Sequence, residues 1–183
     1  MTSFDSKAVE VDNIRFETLV PEPELIVPKK RRGTETPVQI GIRITNNTLT
    51  PLRFSFYASL TPEIIGADRE ALQVGYYSDW STEPLESDFP LVLPGEYVTF
   101  FPYAKLLWLR DQFRLLMGAG DGGFWFFGDL KLGTYQIRFR YQEDSEWGER
   151  TFDEEELIEQ RLLERVWLGQ VDTSFVEFYL IQP

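Results

Sequence analysis

Apolar residues recur at every second position through most of this chain. Val38, Ile40, Ile42 and Ile44 form one such stripe, and Leu52, Phe54, Phe56, Ala58 and Leu60 form another. Tyr135, Ile137, Phe139 and Tyr141 alternate with Gln136, Arg138 and Arg140. Successive side chains of a β-strand leave opposite faces, so a period of two marks half-buried strands. Shorter runs of the same kind lie at Ile14 and Phe16, at Leu25 to Val27, at Leu91 to Leu93, at Val98 and Phe100, and from Val171 to Ile181. Asn46-Asn47-Thr48 with Pro51 predicts a turn, because Asn tolerates a left-handed backbone and Pro cannot continue a central strand. The runs on either side, 38–44 and 52–60, are predicted to form an antiparallel hairpin. Pro94-Gly95 predicts a type II turn between Leu93 and Glu96. At 183 residues the chain suits a single domain spanning 1–183, long enough to build a sizeable core.

The period changes in two places. Leu106, Leu109, Phe113 and Met117 fall at helical spacing before Gly118, which predicts a helix over 104–117. Residues 143–164 hold ten acidic residues against two arginines, a net −8. Thr151 and Glu154 have capping-box spacing there, ahead of Leu157, Ile158 and Leu162, which predicts a helix over 152–164 inside an acidic insertion at 143–166. Phe124 to Phe127 must face both sides of a strand, and burial under the 104–117 helix accounts for that. The expected fold is therefore mainly β: an antiparallel sandwich with one or two short helices inserted, near 104–117 and 152–164.

Composition excludes more than it assigns. The chain has no cysteine and no histidine. That removes disulfides, thiolate chemistry, the usual general base and the commonest metal ligand. The formal net charge is −12, so bulk nucleic-acid binding and binding to anionic membranes are disfavoured. Lys29-Lys30-Arg31-Arg32 is a local exception, read here as a solvated turn between Pro28 and Gly33. Gly118 to Gly123 matches G-x-G-x-x-G, but the dinucleotide fingerprint needs a strand before the glycines and a helix after them. Here the order is reversed, so a helix C-cap and flexible turn is expected. Asp121 and the cluster Glu143, Asp144 and Glu146 lack the ligand spacing of a calcium loop. No S-x-x-K or G-x-S-x-G motif occurs. No enzyme activity, no cofactor and no metal are expected. The first residues lack a basic stretch followed by an apolar one, so a cytoplasmic protein is expected.

Leu130-Lys131-Leu132-Gly133-Thr134-Tyr135 has the form L-x-x-G-x-Y and opens a clean strand. It resembles the tyrosine corner of immunoglobulin-like domains, in which a Tyr hydroxyl bonds an upstream backbone group. Leu93-Pro94-Gly95-Glu96, the Asn-Asn-Thr turn and Trp167-Leu168-Gly169 also resemble bacterial immunoglobulin-like modules. The pairing of L-x-P-G-E with a later G-T-Y is similar to bacterial intracellular proteinase inhibitor-like domains. The resemblance covers residues 11–142 and 167–181. It implies an immunoglobulin-like sandwich with Tyr135 in a structural role.

The candidate interaction surface consists of Tyr76, Tyr77 and Trp80, in an irregular stretch away from the stripes, with Glu143, Asp144, Glu146 and Trp147 of the acidic insertion. Exposed aromatics anchor interfaces, and a block of negative charge attracts a basic surface. The expected function is a non-enzymatic protein-interaction module whose partner carries a basic surface. One alternative is inhibition of an intracellular protease, which the resemblance implies. Another is a carbohydrate- or small-ligand-binding sandwich with the aromatics as a stacking platform. Edge-to-edge pairing into a homodimer is a further option.

Overall fold

A computed structural model describes residues 7–31, 33–144 and 165–183. Among them run β1 (Val9–Val11), β2 (Ile14–Leu19), β3 (Glu24–Ile26), β4 (Glu35–Pro37), β5 (Gly41–Asn46), β6 (Leu52–Arg53), β7 (Leu60–Ile65) and β8 (Val74–Tyr77). After a 3₁₀ turn at Glu86–Asp88 come β9 (Leu91–Val92), β10 (Tyr97–Phe100), β11 (Ala104–Leu109), β12 (Gln112–Gly118), β13 (Phe124–Phe127), β14 (Gly133–Glu143), β15 (Gly169–Asp172) and β16 (Val176–Ile181). The fold is mainly β, with no α-helix among the described residues.

Three sheets carry most of the strands. The first has the order β1-β2-β5-β10 and the second β4-β11-β12-β13-β8. Both are antiparallel throughout. The third is built on the long β14, with β7 on one side and β15 and β16 on the other; β3 then lies parallel to β16. A small sheet pairs β6 with β9. The inward stripes of the three large sheets meet in one contiguous core. Ile42 and Ile44 come from the first sheet, Leu106, Leu115 and Phe127 from the second, and Ile137, Phe139 and Phe178 from the third; all are fully buried. The Phe16 ring sits 5.6 Å from Tyr141 and 5.2 Å from Trp167, which ties the first sheet to the third through aromatic contacts. A buried hydroxyl pair, Thr18 with Thr173 at 2.6 Å, makes the same connection in polar form.

Several local structures follow from their residues. Asp12 and Asn13 form the two-residue turn between β1 and β2, with φ of 54° and 60°. Both residue types accept that left-handed backbone, which matches the twist of a tight hairpin. Gly95 has φ 80° and the Glu96 N–H donates to the Leu93 carbonyl at 3.0 Å, as a type II turn at Pro94-Gly95 requires.

Four expectations are corrected. Residues 104–117 are not a helix but most of the β11–β12 hairpin, joined by Arg110-Asp111 with Leu109 opposite Gln112. Ala104 and Leu106 on β11, and Phe113, Leu115 and Met117 on β12, are buried by strand alternation. The two-residue turn shifts the phase between them, so two strands read in series mimic a helical spacing. Leu109, the second member of the supposed helical stripe, is 48% exposed.

The 38–44/52–60 hairpin does not form either. β5 pairs with β2 and β10, whereas β6 pairs with β9. The buried Asn46 redirects the chain: its amide nitrogen donates to Thr50 O and Val92 O, and its oxygen accepts from the N–H and hydroxyl of Thr48. Phe124 to Phe127 lie between β12 and β8 rather than under a helix. Gly118 to Gly123 close a strand-to-strand connection rather than cap a helix. The 152–164 helix and residues 145–164 of the acidic insertion lie outside the described residues.

Candidate interaction surface

β8 reads Val-Gly-Tyr-Tyr and is the last strand of the second sheet. Its register against β13 sets Val74 opposite Phe127, Gly75 opposite Phe126, Tyr76 opposite Trp125 and Tyr77 opposite Phe124. Alternation sends Tyr76 and Tyr77 to opposite faces, so the structure separates two residues that the sequence groups together.

Tyr76 is on the sheet face that turns toward the core, but at this edge it is 46% exposed, and it already has partners. Its hydroxyl donates to Asp121 Oδ2 at 2.6 Å, and its ring centre is 4.9 Å from that of Trp125. The hydrogen bond to the Asp121 carboxylate, followed by partial desolvation, raises the Tyr76 pKa. Asp121 Oδ1 in turn accepts the Gly123 N–H at 2.8 Å. A side chain at 123 would overlap the Tyr76 ring, because an added Cβ would lie 2.3 Å from its hydroxyl oxygen. The glycine-rich loop therefore serves as the seat of Tyr76. Trp125 is anchored below by its indole N–H, which donates to the Leu60 carbonyl at 3.0 Å.

Tyr77 is on the face turned away from the core and is 55% exposed. Its hydroxyl donates to Asp79, the main cause of its raised pKa. Phe124 and Phe126 share this face, as do Leu116 and Leu107 from the next two strands by register. All four are half-buried. The Phe126 ring lies directly on Gly75, and the Arg114 guanidinium stands 5.6 Å from the Phe126 ring centre. The result is an aromatic and aliphatic sheet face that ends at the β8 edge. Trp80, 69% exposed, follows on the next loop. That loop is held by the Tyr57 hydroxyl on the Thr82 carbonyl and by the Thr82 N–H on the Asp121 carbonyl.

The two edges of this sheet differ. β4 carries Pro37 and Glu35, the latter paired with Lys105 at 2.6 Å. Prolines and charges discourage further pairing at an edge. β8 has neither. The sequence shows the aromatics but not the edge, because edge position depends on pairing between β8 and β13, some fifty residues apart.

The acidic candidates separate as well. Glu143, at the end of β14, is 5% exposed and so is not a surface contact, while Asp144 is exposed. Glu146 and Trp147 lie outside the described residues. The Tyr135 hydroxyl donates to the Lys131 carbonyl and accepts the Lys131 N–H, both at 3.0 Å. Among the described residues no acidic cluster is arranged to hold a metal ion, and no helix is long and apolar enough to cross a membrane. Set against protein-family models, curated proteins and solved structures, the chain matches none of them.

Proposed function

We propose that this chain is a non-enzymatic interaction module, built on an immunoglobulin-like sandwich, that binds a protein partner by strand addition at β8. The observation that carries this is the β8 edge, which no further strand covers among the described residues. β8 is uncharged and free of proline, lies at the end of a five-stranded sheet, carries the exposed Tyr77 and is followed by the exposed Trp80. An open edge offers backbone hydrogen bonds to an incoming strand, and aromatic neighbours give that strand something to pack on. In a chain of net charge −12, an uncharged stretch at an edge also spares the partner the cost of burying carboxylates. The acidic insertion favours a partner with a basic surface and speeds encounter at low salt. A sugar-stacking platform is less well supported, because Tyr76 is occupied by Trp125 and Asp121 and faces away from Tyr77.

The test is capture of partners from native lysate with the wild-type chain and with a Tyr77→Lys/Trp80→Ala variant. Both sites are exposed, so the variant keeps its fold. A partner retained by the wild type and lost from the variant is the expected result. Equal capture by both chains refutes strand addition at β8.

A further inference from the structure

The Lys29-Lys30-Arg31 turn does not simply face solvent. Its Lys29 and Lys30 line a groove of about 600 Å³ together with Leu130, Lys131 and Leu132. The floor is apolar: Val27, Phe113 and Leu130 are buried, and Trp108 lies 5.3 Å from Phe113, ring centre to ring centre. Lys29, Lys30 and Lys131 stand around it beside Gln182 and Pro183, and none of the lining side chains is acidic. That is a marked local reversal in a chain with 30 acidic and 18 basic residues. Lys30 reaches over the Trp108 ring at 5.4 Å and pairs with the exposed Asp111 of the β11–β12 turn at 3.0 Å. Lys29 and Lys131 have no ion-pair partner among the described residues.

Side chains hold the groove's backbone in place. The Trp108 indole N–H donates to the Pro28 carbonyl at 2.8 Å. The Thr34 hydroxyl bonds the carbonyls of Lys29 and Arg31 at 2.5 and 2.7 Å. The Tyr135 hydroxyl bonds both backbone groups of Lys131. Walls fixed in this way need little ordering when a ligand arrives, which lowers the cost of binding.

We infer that this groove binds a small amphipathic carboxylate. Its apolar body would lie on Trp108, Phe113, Val27 and Leu130, and its carboxylate would sit between Lys29 and Lys131. The volume is in the range of sites that take small organic ligands, and an apolar floor with a few charged groups is their usual make-up. Two ammonium groups without an ion-pair partner among the described residues select for an anion. This site uses none of the residues of the β8 edge, so the two proposals stand or fall separately.

The probe is 4-phenylbutanoate, with uncharged 4-phenylbutan-1-ol as its control, titrated into the ¹⁵N-labelled full chain. Saturable shifts of the Trp108 indole N–H and of the Lys29 and Lys131 amides are expected, with a Kd on the order of 100 μM. The Lys29→Glu/Lys131→Glu variant should bind about tenfold more weakly, and Lys7→Glu should bind as the wild type does. The alcohol should bind about tenfold more weakly than the carboxylate. Peak dispersion in the same spectra shows that each variant is folded. The proposal is overturned by shifts that do not saturate, by equal binding of the alcohol, or by an undiminished affinity in the charge-reversed variant.

Discussion

Asn46 shows how much one buried side chain decides here. It is fully buried, and its amide uses both its nitrogen and its oxygen on the segment around Thr48 and Thr50 and on Val92. Truncation would leave the Val92 carbonyl, in a residue 2% exposed, without this donor, and would release the 46–50 loop. An unmade hydrogen bond in the interior costs more than a made one contributes. Asn46→Ala should therefore lower stability by about 2–4 kcal/mol in urea unfolding. Asn47→Ala, at an exposed position, should change it by less than about 0.5 kcal/mol. Sequence alone marks 46–48 as a turn from its residue types. It does not say which asparagine points inward, because both have the same local chemistry and only the distant Val92 distinguishes them. The same limit applies to Glu143, whose charge suggests a surface position while its place in the β14 alternation buries it behind Tyr141.

Among the elements, the β11–β12 hairpin is where local pattern and final structure part most clearly. Its turn is unusual in placing Arg110 at φ +57°. A β-carbon in the left-handed region costs about 1–2 kcal/mol, and glycine avoids this at the expense of a more disordered unfolded chain. Arg110→Gly should therefore stabilise the protein, by about 0.5 kcal/mol, as a rise in the urea midpoint with an unchanged slope. A glycine or asparagine at 110 would have made the hairpin legible, since Asn-Gly and Asp-Gly are the usual signals of a two-residue connection. Of the two clearest stripes, 135–141 lies on the eleven-residue β14, whereas 38–44 enters a strand only at Gly41, so that Ile42 and Ile44 lie on β5 and Val38 and Ile40 on the segment between β4 and β5. Their pairing partners were harder to read. β5 lies beside β2 and β10, and β14 beside β7, β15 and β16, through contacts distant in sequence that alternation does not encode. The β8 edge belongs to the same class of information: its residues are visible in the sequence, and its edge position comes from having no strand neighbour on one side among the described residues.

On the scale of the whole molecule, the lack of histidine and cysteine shapes the response to pH. No side chain of ordinary pKa changes charge between about pH 5 and pH 9 in such a chain. Folding stability should be nearly flat across that window. The acid limb has a named contributor. Arg140 holds Asp172 through bonds of 2.7 and 3.0 Å, with Arg138 at 3.7 Å, and these cations keep the Asp172 carboxyl below its ordinary pKa. A carboxyl with a lowered folded pKa adds stability that is fully present above its unfolded value, about 3.9, and is lost as pH falls through the folded value. The decline attributable to this pair therefore lies below about pH 4. On the alkaline side, burial raises the Tyr141 hydroxyl far above its ordinary range, and the hydrogen bond to Asp121 raises Tyr76. Groups with a raised folded pKa stabilise the protein below their unfolded value, near pH 10, and that contribution disappears as pH rises toward the folded value. Urea midpoints measured from pH 3 to pH 11 should thus form a plateau with shoulders near pH 4 and pH 10. Asp172→Asn should make the acid shoulder shallower and leave the alkaline one in place. Tyrosinate absorbance adds an independent readout, because Tyr141 should ionise only together with loss of the fold. A midpoint that changes steeply between pH 6 and pH 8, or ionisation of all eight tyrosines while the fold is intact, would contradict this account of the core.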